Sequence, residues 1–201
     1  MIVDYVLSSL RQLLWKLKIF LLRLKFRFNR IRSREAFVRF TCNICGEISN
    51  TPLRLVKHRE ASSCSACGSN RRFRSIVYAL VKELMGQEST MVKIETQKQI
   101  RGIGLSDASL YADRLSKKFN YTNTYYHKAP QLDITTVSPE WHESVDFIIS
   151  SDVFEHIPAP VEIAFDNLFK MLKKDGICIF SVPYKLEGAT DEHFPDLYDY
   201  H

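Results

Sequence analysis

The sequence predicts an α/β fold, a parallel sheet with flanking helices, preceded by a small four-cysteine module and a basic amphipathic helix. Two observations carry the prediction. From about residue 95 onward, short β-rich segments alternate with helical periodicities, the pattern of strands joined by crossover helices. Ahead of them stand two C-x-x-C pairs, which no sheet of this kind requires and which mark a separate module. A chain of 201 residues with 45% hydrophobic residues can bury one substantial core and one small appendage. The expected organisation is therefore residues 1–40 as the helix, 41–71 as the cysteine module and 72–201 as the main domain.

The charge is uneven. The net +5 divides into +8 for residues 1–40, where ten Lys/Arg face only Asp4 and Glu35, and −3 for the remainder. A mildly acidic body is a poor general surface for nucleic acid, which needs a concentrated basic patch to displace counterions. In the first segment, Val3, Leu10, Leu17, Leu24 and Ile31 share one helical line with Val6, Leu14 and Leu21 beside it, while Arg11, Lys18, Lys25 and Arg32 share another. Trp15, Ile19, Leu22 and Phe26 add a second apolar stripe. Charges interrupt every apolar run, so a membrane-crossing helix and a cleavable signal are both disfavoured. Residues 1–32 suit docking on an anionic membrane surface, or equally packing on a partner or on the body of the protein. The five cysteines lack the layout of a secreted disulfide scaffold, so a reducing cytoplasmic setting is expected, with the basic helix resting peripherally on the inner membrane face.

Cys42, Cys45, Cys64 and Cys67 form C-x2-C, a gap of 18 residues, and C-x2-C. A two-residue gap turns both thiolates of a pair toward one ion, and Gly46 and Gly68 allow the tight turns that follow. Four thiolates leave no open position, so a zinc ion there is expected to be structural. Arg54, Lys57, His58, Arg59, Arg71, Arg72 and Arg74 lie in and after this module, but only His58 and Phe73 offer stacking rings, which argues against a single-strand reader.

Phe73, Ile76, Val77, Leu80, Val81 and Leu84 predict a core-facing helix over 72–85, ended by Gly86. A strand from about Ile100 to Ile103 then turns between Gly104 and Asp107 into a helix of about 12 residues carrying Leu110, Tyr111, Leu115 and Phe119. "YTNTYY" and "LDI" read as short β pieces and "VDFIIS" as a buried strand. "PVEIAFDNLFKMLKK" reads as a helix with Val161, Ala164, Phe165, Leu168, Met171 and Leu172 on one face. Lys173 and Lys174 suit its C-terminus, Gly176 stops it, and the strand "ICIFSVPY" follows. Ligands of such sheets bind beyond the carboxyl ends of the strands.

"IRGIGLSD", "QLDITT", "VDFIISSDVFEHIPAP" and "LKKDGICIFSVPY" together resemble the class I S-adenosylmethionine-dependent methyltransferases, and the cysteines resemble the subgroup with an N-terminal zinc ribbon. The resemblance covers about residues 95–185 and implies a Rossmann-like fold that uses S-adenosylmethionine. It implies that Gly102, Gly104, Ser106 and Asp107 form the cofactor turn, against the methionine half, with Asp133 near the adenine. Ser151 and Asp152 would border the cofactor, and Glu155 and His156 would face the methyl acceptor. His156 is the best general base, followed by His127; a structural hydrogen bond at a strand end is the alternative role for the Glu155–His156 pair.

The departures are specific. Aligned on Gly104, the family's acid two residues before the first glycine becomes Gly102, and Ser106 and Ala108 replace later glycines. "NTYYHKAP" has no acid for the ribose hydroxyls, which leaves Tyr126, His127 or Gln131. The family's sheet usually has two more strands after "ICIFSVPY", so the chain is expected to be a truncated product or to take those strands from elsewhere, with an exposed sheet edge that could pair with another copy. His193 is a candidate for an acceptor-binding loop or a solvated turn. Three functions remain open: methyl transfer to an oxygen or nitrogen acceptor, with a small molecule, sugar or glycan as the guess; a catalytically inactive scaffold of the same fold; and, weakest, a zinc-ribbon nucleic-acid binder.

Overall fold

The computed structural model describes residues 19–21, 35–184 and 187–188. Apart from a helical turn at 19–21, the amphipathic segment of residues 1–32 lies outside the described residues, as does His193. Among the described residues no helix is long and apolar enough to cross a membrane.

Residues 37–40, expected within the helical segment, are instead extended. The β-prone run Phe37–Thr41 forms strand β1, which pairs antiparallel with β2 (Ile48–Pro52), Phe37 opposite Pro52 and Thr41 opposite Ile48. The first cysteine pair sits in the turn between them, closed by Gly46 N–H donating to Cys42 O at 2.8 Å. Gly46 has φ of 78°, and a Cβ there would lie 2.6 Å from Val92 Cγ2, so only glycine fits. The second pair repeats the device, with Gly68 N–H on Cys64 O at 2.9 Å and φ of 78°. A short helix α1 (Leu53–Lys57) follows β2.

Helix α2 (Arg71–Met85) is capped by Asn70, whose Oδ1 accepts from Phe73 N–H at 2.8 Å, and buries Ile76, Val77, Leu80 and Val81. Two compact units divide within it. The first runs through Val81 and regains Glu88–Lys93; the second takes Lys82–Gln87 and the chain from Ile94. This division falls later than the expected boundary after residue 71. The reason is local: Asn43 Nδ2 donates to Arg74 O at 2.9 Å and Met91 N–H to Asn43 O at 2.7 Å, tying the start of α2 and the loop after it to the cysteine module.

The second unit is a Rossmann-like α/β domain built on a four-stranded parallel sheet. Its strands are β3 (Gln97–Leu105), β4 (Phe119–Thr124), β5 (Val145–Ser151) and β6 (Leu172–Ser181), in the order β4-β3-β5-β6. Helices α3 (Ser109–Lys118) and α4 (Glu162–Met171) make the crossovers. The apolar run of β5 suits a strand covered on both faces. On one face Ile103, Leu105, Ile148, Ala164, Leu168 and Met171 pack as one core. On the other, Phe147 meets Phe119 edge-on at 5.6 Å and stacks on Tyr121 at 5.9 Å. Among the described residues, β6 has no strand partner on its outer edge.

Two elements differ from expectation. "LDI" is a turn, because Asp133 Oδ1 captures Thr135 N–H at 2.8 Å and Thr135 Oγ1 at 2.7 Å, and this local bonding displaces a ladder. Helix α4 ends at Met171 rather than Lys174. Leu172 is already extended, and Lys173 reaches back to Asp146 at 2.9 Å where the β5–β6 register shifts. Asp175, with φ of 64°, lies in the irregular stretch of β6 there. Gly176 serves a close approach instead of a helix stop, since its Cβ would lie 2.9 Å from Lys173 O.

Candidate functional site

The cysteine module brings its four sulfurs within 4.8 Å of one another. Cys42 and Cys67 are 3.8 Å apart and Cys45 and Cys64 3.7 Å, each contact joining one cysteine from either turn. A tetrahedral ion with metal–sulfur bonds of about 2.3 Å requires sulfur–sulfur edges of about 3.8 Å, so the donor set fits zinc. Ser49 Oγ donates to Cys64 Sγ at 3.2 Å, and Ser69 Oγ lies 3.4 Å from Cys42 Sγ. Hydrogen bonding with Cys45 lowers the pKa of the Cys42 thiol to about 6 and hydrogen bonding with Cys42 lowers that of Cys64, while contacts with Cys42 raise those of Cys45 and Cys67.

The cations of this module are mostly spoken for. Arg54 pairs with Glu35 at 2.6 Å, and Arg59 and Arg72 both reach Glu60, at 2.8 and 2.7 Å. His58 is exposed, yet its Nδ1 accepts from the backbone N–H groups of Glu60 and Ala61, so it shapes the loop.

The second unit carries a cavity of about 480 Å³ at the carboxyl ends of β3, β4 and β5. Ser106, Tyr126, Asp133, Asp152 and His156, all expected at the site, line it together with His127. Ser106 directly follows β3 with φ of 59° and Asp152 directly follows β5 with φ of 56°. Two non-glycine residues in the left-handed region, on adjacent strand ends and facing one cavity, are the kind of strain that the surrounding structure must hold in place. Ser106 is held by its N–H donating to Thr124 O at 2.8 Å, and Asp152 by its N–H on Ser181 O at 2.8 Å.

Five expected residues do not line the cavity. A Cβ on Gly102 would lie 2.1 Å from Phe147 Cζ, so this glycine makes room for a core ring. A Cβ on Gly104 would lie 1.9 Å from Tyr121 Oη and 2.2 Å from Asp107 Oδ2. Asp107 is buried behind the turn, where it accepts from Tyr111 Oη at 2.6 Å and from Tyr121 Oη, and its backbone N–H donates to Asn123 Oδ1 at 2.8 Å. Burial and the charge of Asp107 push the Tyr121 hydroxyl well above its usual range, which keeps it a donor. Ser151 Oγ contacts Ser181 Oγ at 3.1 Å.

Glu155 is turned inward. Its side chain is 14% exposed against 65% for His156, and its Oε1 lies 4.0 Å from His156 Nε2. Its Oε2 is buried with no hydrogen-bond partner among the described residues. Only His156 of this pair reaches the cavity.

The lining also includes Thr124, which closes β4, Tyr125, which follows it, and Val153, Ile157 and Pro158 in the segment after β5. None of these was named from the sequence as an individual site residue, because each reads as an ordinary strand-end or loop residue.

Comparison with solved structures returns the CMeT domain of the citrinin polyketide synthase, at a TM-score of 0.40 and 13% identity, over 57% of this chain and 35% of that one. The chain thus spans about a third of that neighbour. No curated protein matches. Residues 78–199, more than half of the chain, match a family described as a methyltransferase domain. With its parallel sheet and a cavity at the strand ends, the chain belongs to the methyltransferase-domain family.

Proposed function

We propose that the protein transfers a methyl group from S-adenosylmethionine, the usual cofactor of its family, to an oxygen or nitrogen acceptor, and that the cofactor binds in the cavity at the ends of β3, β4 and β5. The observation that carries this reading is the convergence of Ser106 and Asp152, both in the left-handed region, on that cavity. The cofactor would supply an electrophilic methyl group, so the protein's task is chiefly positioning. Asp133 keeps Oδ1 bonded to Thr135 and presents its carboxylate to the cavity, beside Tyr126 and His127. The resemblance places Asp133 near the adenine; in this cavity we assign its carboxylate instead to the ribose hydroxyls, in place of the acid absent from the end of β4. His156, exposed at the cavity wall, is the base for an acceptor proton, with the Glu155 carboxylate 4.0 Å from its Nε2. Zinc bound by Cys42, Cys45, Cys64 and Cys67 is structural in this reading.

A second reading, a binding protein of the same fold without catalysis, is favoured by one observation. The backbone N–H groups of Ser106 and Asp107 are both engaged by β4, leaving the turn fewer donors for a cofactor. Ultraviolet crosslinking of methyl-tritiated S-adenosylmethionine, followed by peptide mapping, tests the first reading. Label is expected on peptides containing residues 124–134 or 151–158; label confined to the cysteine module, or none, overturns it.

A further inference from the structure

Arg74 is a basic residue of this region that neither an acidic partner nor the proposed function accounts for. Arg54, Arg59 and Arg72 each have a carboxylate within hydrogen-bond reach, whereas no carboxylate pairs with Arg74 among the described residues. Its guanidinium is part-buried and lies over the Phe40 ring, 4.6 Å from its centroid. Burial lowers its affinity for a proton, and the four neighbouring sulfurs, Cys42 most, offset only part of that.

The hydrogen bonds show where that charge is spent. Arg74 Nη1 donates to Ser69 O at 2.8 Å and lies 3.4 Å from Ser69 Oγ; Nη2 donates to Ser63 Oγ at 2.9 Å. Ser69 Oγ is in turn 3.4 Å from Cys42 Sγ. Ser69 O also accepts the N–H groups of Ser63 and Cys64, at 3.1 and 3.0 Å, so one carbonyl gathers three donors beside the second cysteine turn. When Cys42 is a thiolate, the Ser69 hydroxyl must donate to sulfur, and its oxygen is left to accept from the guanidinium. A divalent ion with four thiolates carries a net charge of about −2, which is costly to bury without a cation nearby.

We propose that Arg74 is the counter-cation and brace of a tetrathiolate zinc centre, acting on Cys42 through Ser69 and on the second cysteine turn through Ser69 and Ser63. It is a positioning residue, not a ligand, and the proposal rests on the reading that the four cysteines hold zinc. Outer partners of this kind commonly change metal affinity by about 10- to 100-fold when removed.

The test is competition for zinc between the full chain and a chromogenic chelator, with Arg74→Gln, Arg74→Lys, Ser69→Ala and, as a control, Arg71→Gln, which deletes the same charge at an exposed position. R74Q is expected to weaken zinc binding by about 10- to 100-fold. R74K, which keeps the charge but not the fork, should recover part of the loss, and R71Q should match the parent chain. If R74Q does not fold, R74K and S69A still decide the matter, since each must bind zinc more weakly than R71Q. Equal zinc affinity for R74Q or R74K, S69A and R71Q overturns the role of Arg74 alone. A parent chain that takes up no zinc overturns the zinc reading with it.

Discussion

Gly102→Ala tests most sharply how the first turn of the sheet is built. The added methyl would meet Phe147 Cζ at 2.1 Å, Cε1 at 2.3 Å and Cε2 at 2.4 Å, all far inside van der Waals contact. The ring cannot retreat. Phe147 is fully buried, held edge-on by Phe119 at 5.6 Å and stacked against Tyr121 at 5.9 Å. Overpacking of a closed core costs about 1–3 kcal/mol, and three short contacts to one caged ring place this substitution near the upper end. For a chain of this size that corresponds to a fall in melting temperature of about 6–12 °C. The assay is thermal unfolding followed by calorimetry, paired with S-adenosylhomocysteine titration of the folded variant. Because Gly102 does not line the cavity, the folded variant should bind the ligand as the parent does. Adding Phe147→Leu should return part of the lost stability by vacating the space. Loss of ligand binding at an unchanged melting temperature would refute the assignment of Gly102 to packing.

Tyr121→Phe removes one of the two hydroxyls that satisfy the buried Asp107 carboxylate, and should lower stability by about 1–3 kcal/mol in urea unfolding. Cys178, whose thiol is pushed up by burial to about 11 from an ordinary 9.0, should alkylate about 100-fold more slowly at pH 8 than an unshifted thiol, because less of it is thiolate; mass spectrometry with timed quenching reads the rate. Residues 1–32 should carry the chain onto anionic vesicles at low salt and release it at high salt, whereas a chain lacking them should stay in the supernatant in both.

Much of this architecture was legible in the sequence because the strongest signals were local. The spacing of Cys42, Cys45, Cys64 and Cys67 already required a converging cluster, and the uninterrupted run of β5 already required a strand covered on both faces. What escaped were features set by partners far away in sequence. Lys173 looks like a residue for a helix end until Asp146 is seen to hold it, and Leu132 to Ile134 look β-prone until Asp133 is seen to bond Thr135. The cofactor turn shows the same limit. Gly102, Gly104, Ser106 and Asp107 are consecutive members of one motif, yet only Ser106 faces the cavity, because Phe147 and Tyr121 occupy the space beside the two glycines and two tyrosines retain Asp107. The motif therefore marks where the turn lies and leaves open which of its atoms a ligand can reach. The inward orientation of Glu155 was equally hidden, since adjacent residues in a sequence can face opposite sides of a short 3-10 turn.

Calorimetric titration of the full, zinc-loaded chain with S-adenosylhomocysteine tests the central claim most directly, alongside Asp133→Ala. The account predicts a saturable one-to-one heat for the parent chain and a marked weakening for the variant, without loss of its thermal transition. Absence of heat from the folded parent chain at millimolar ligand, or equal binding by D133A, would contradict it.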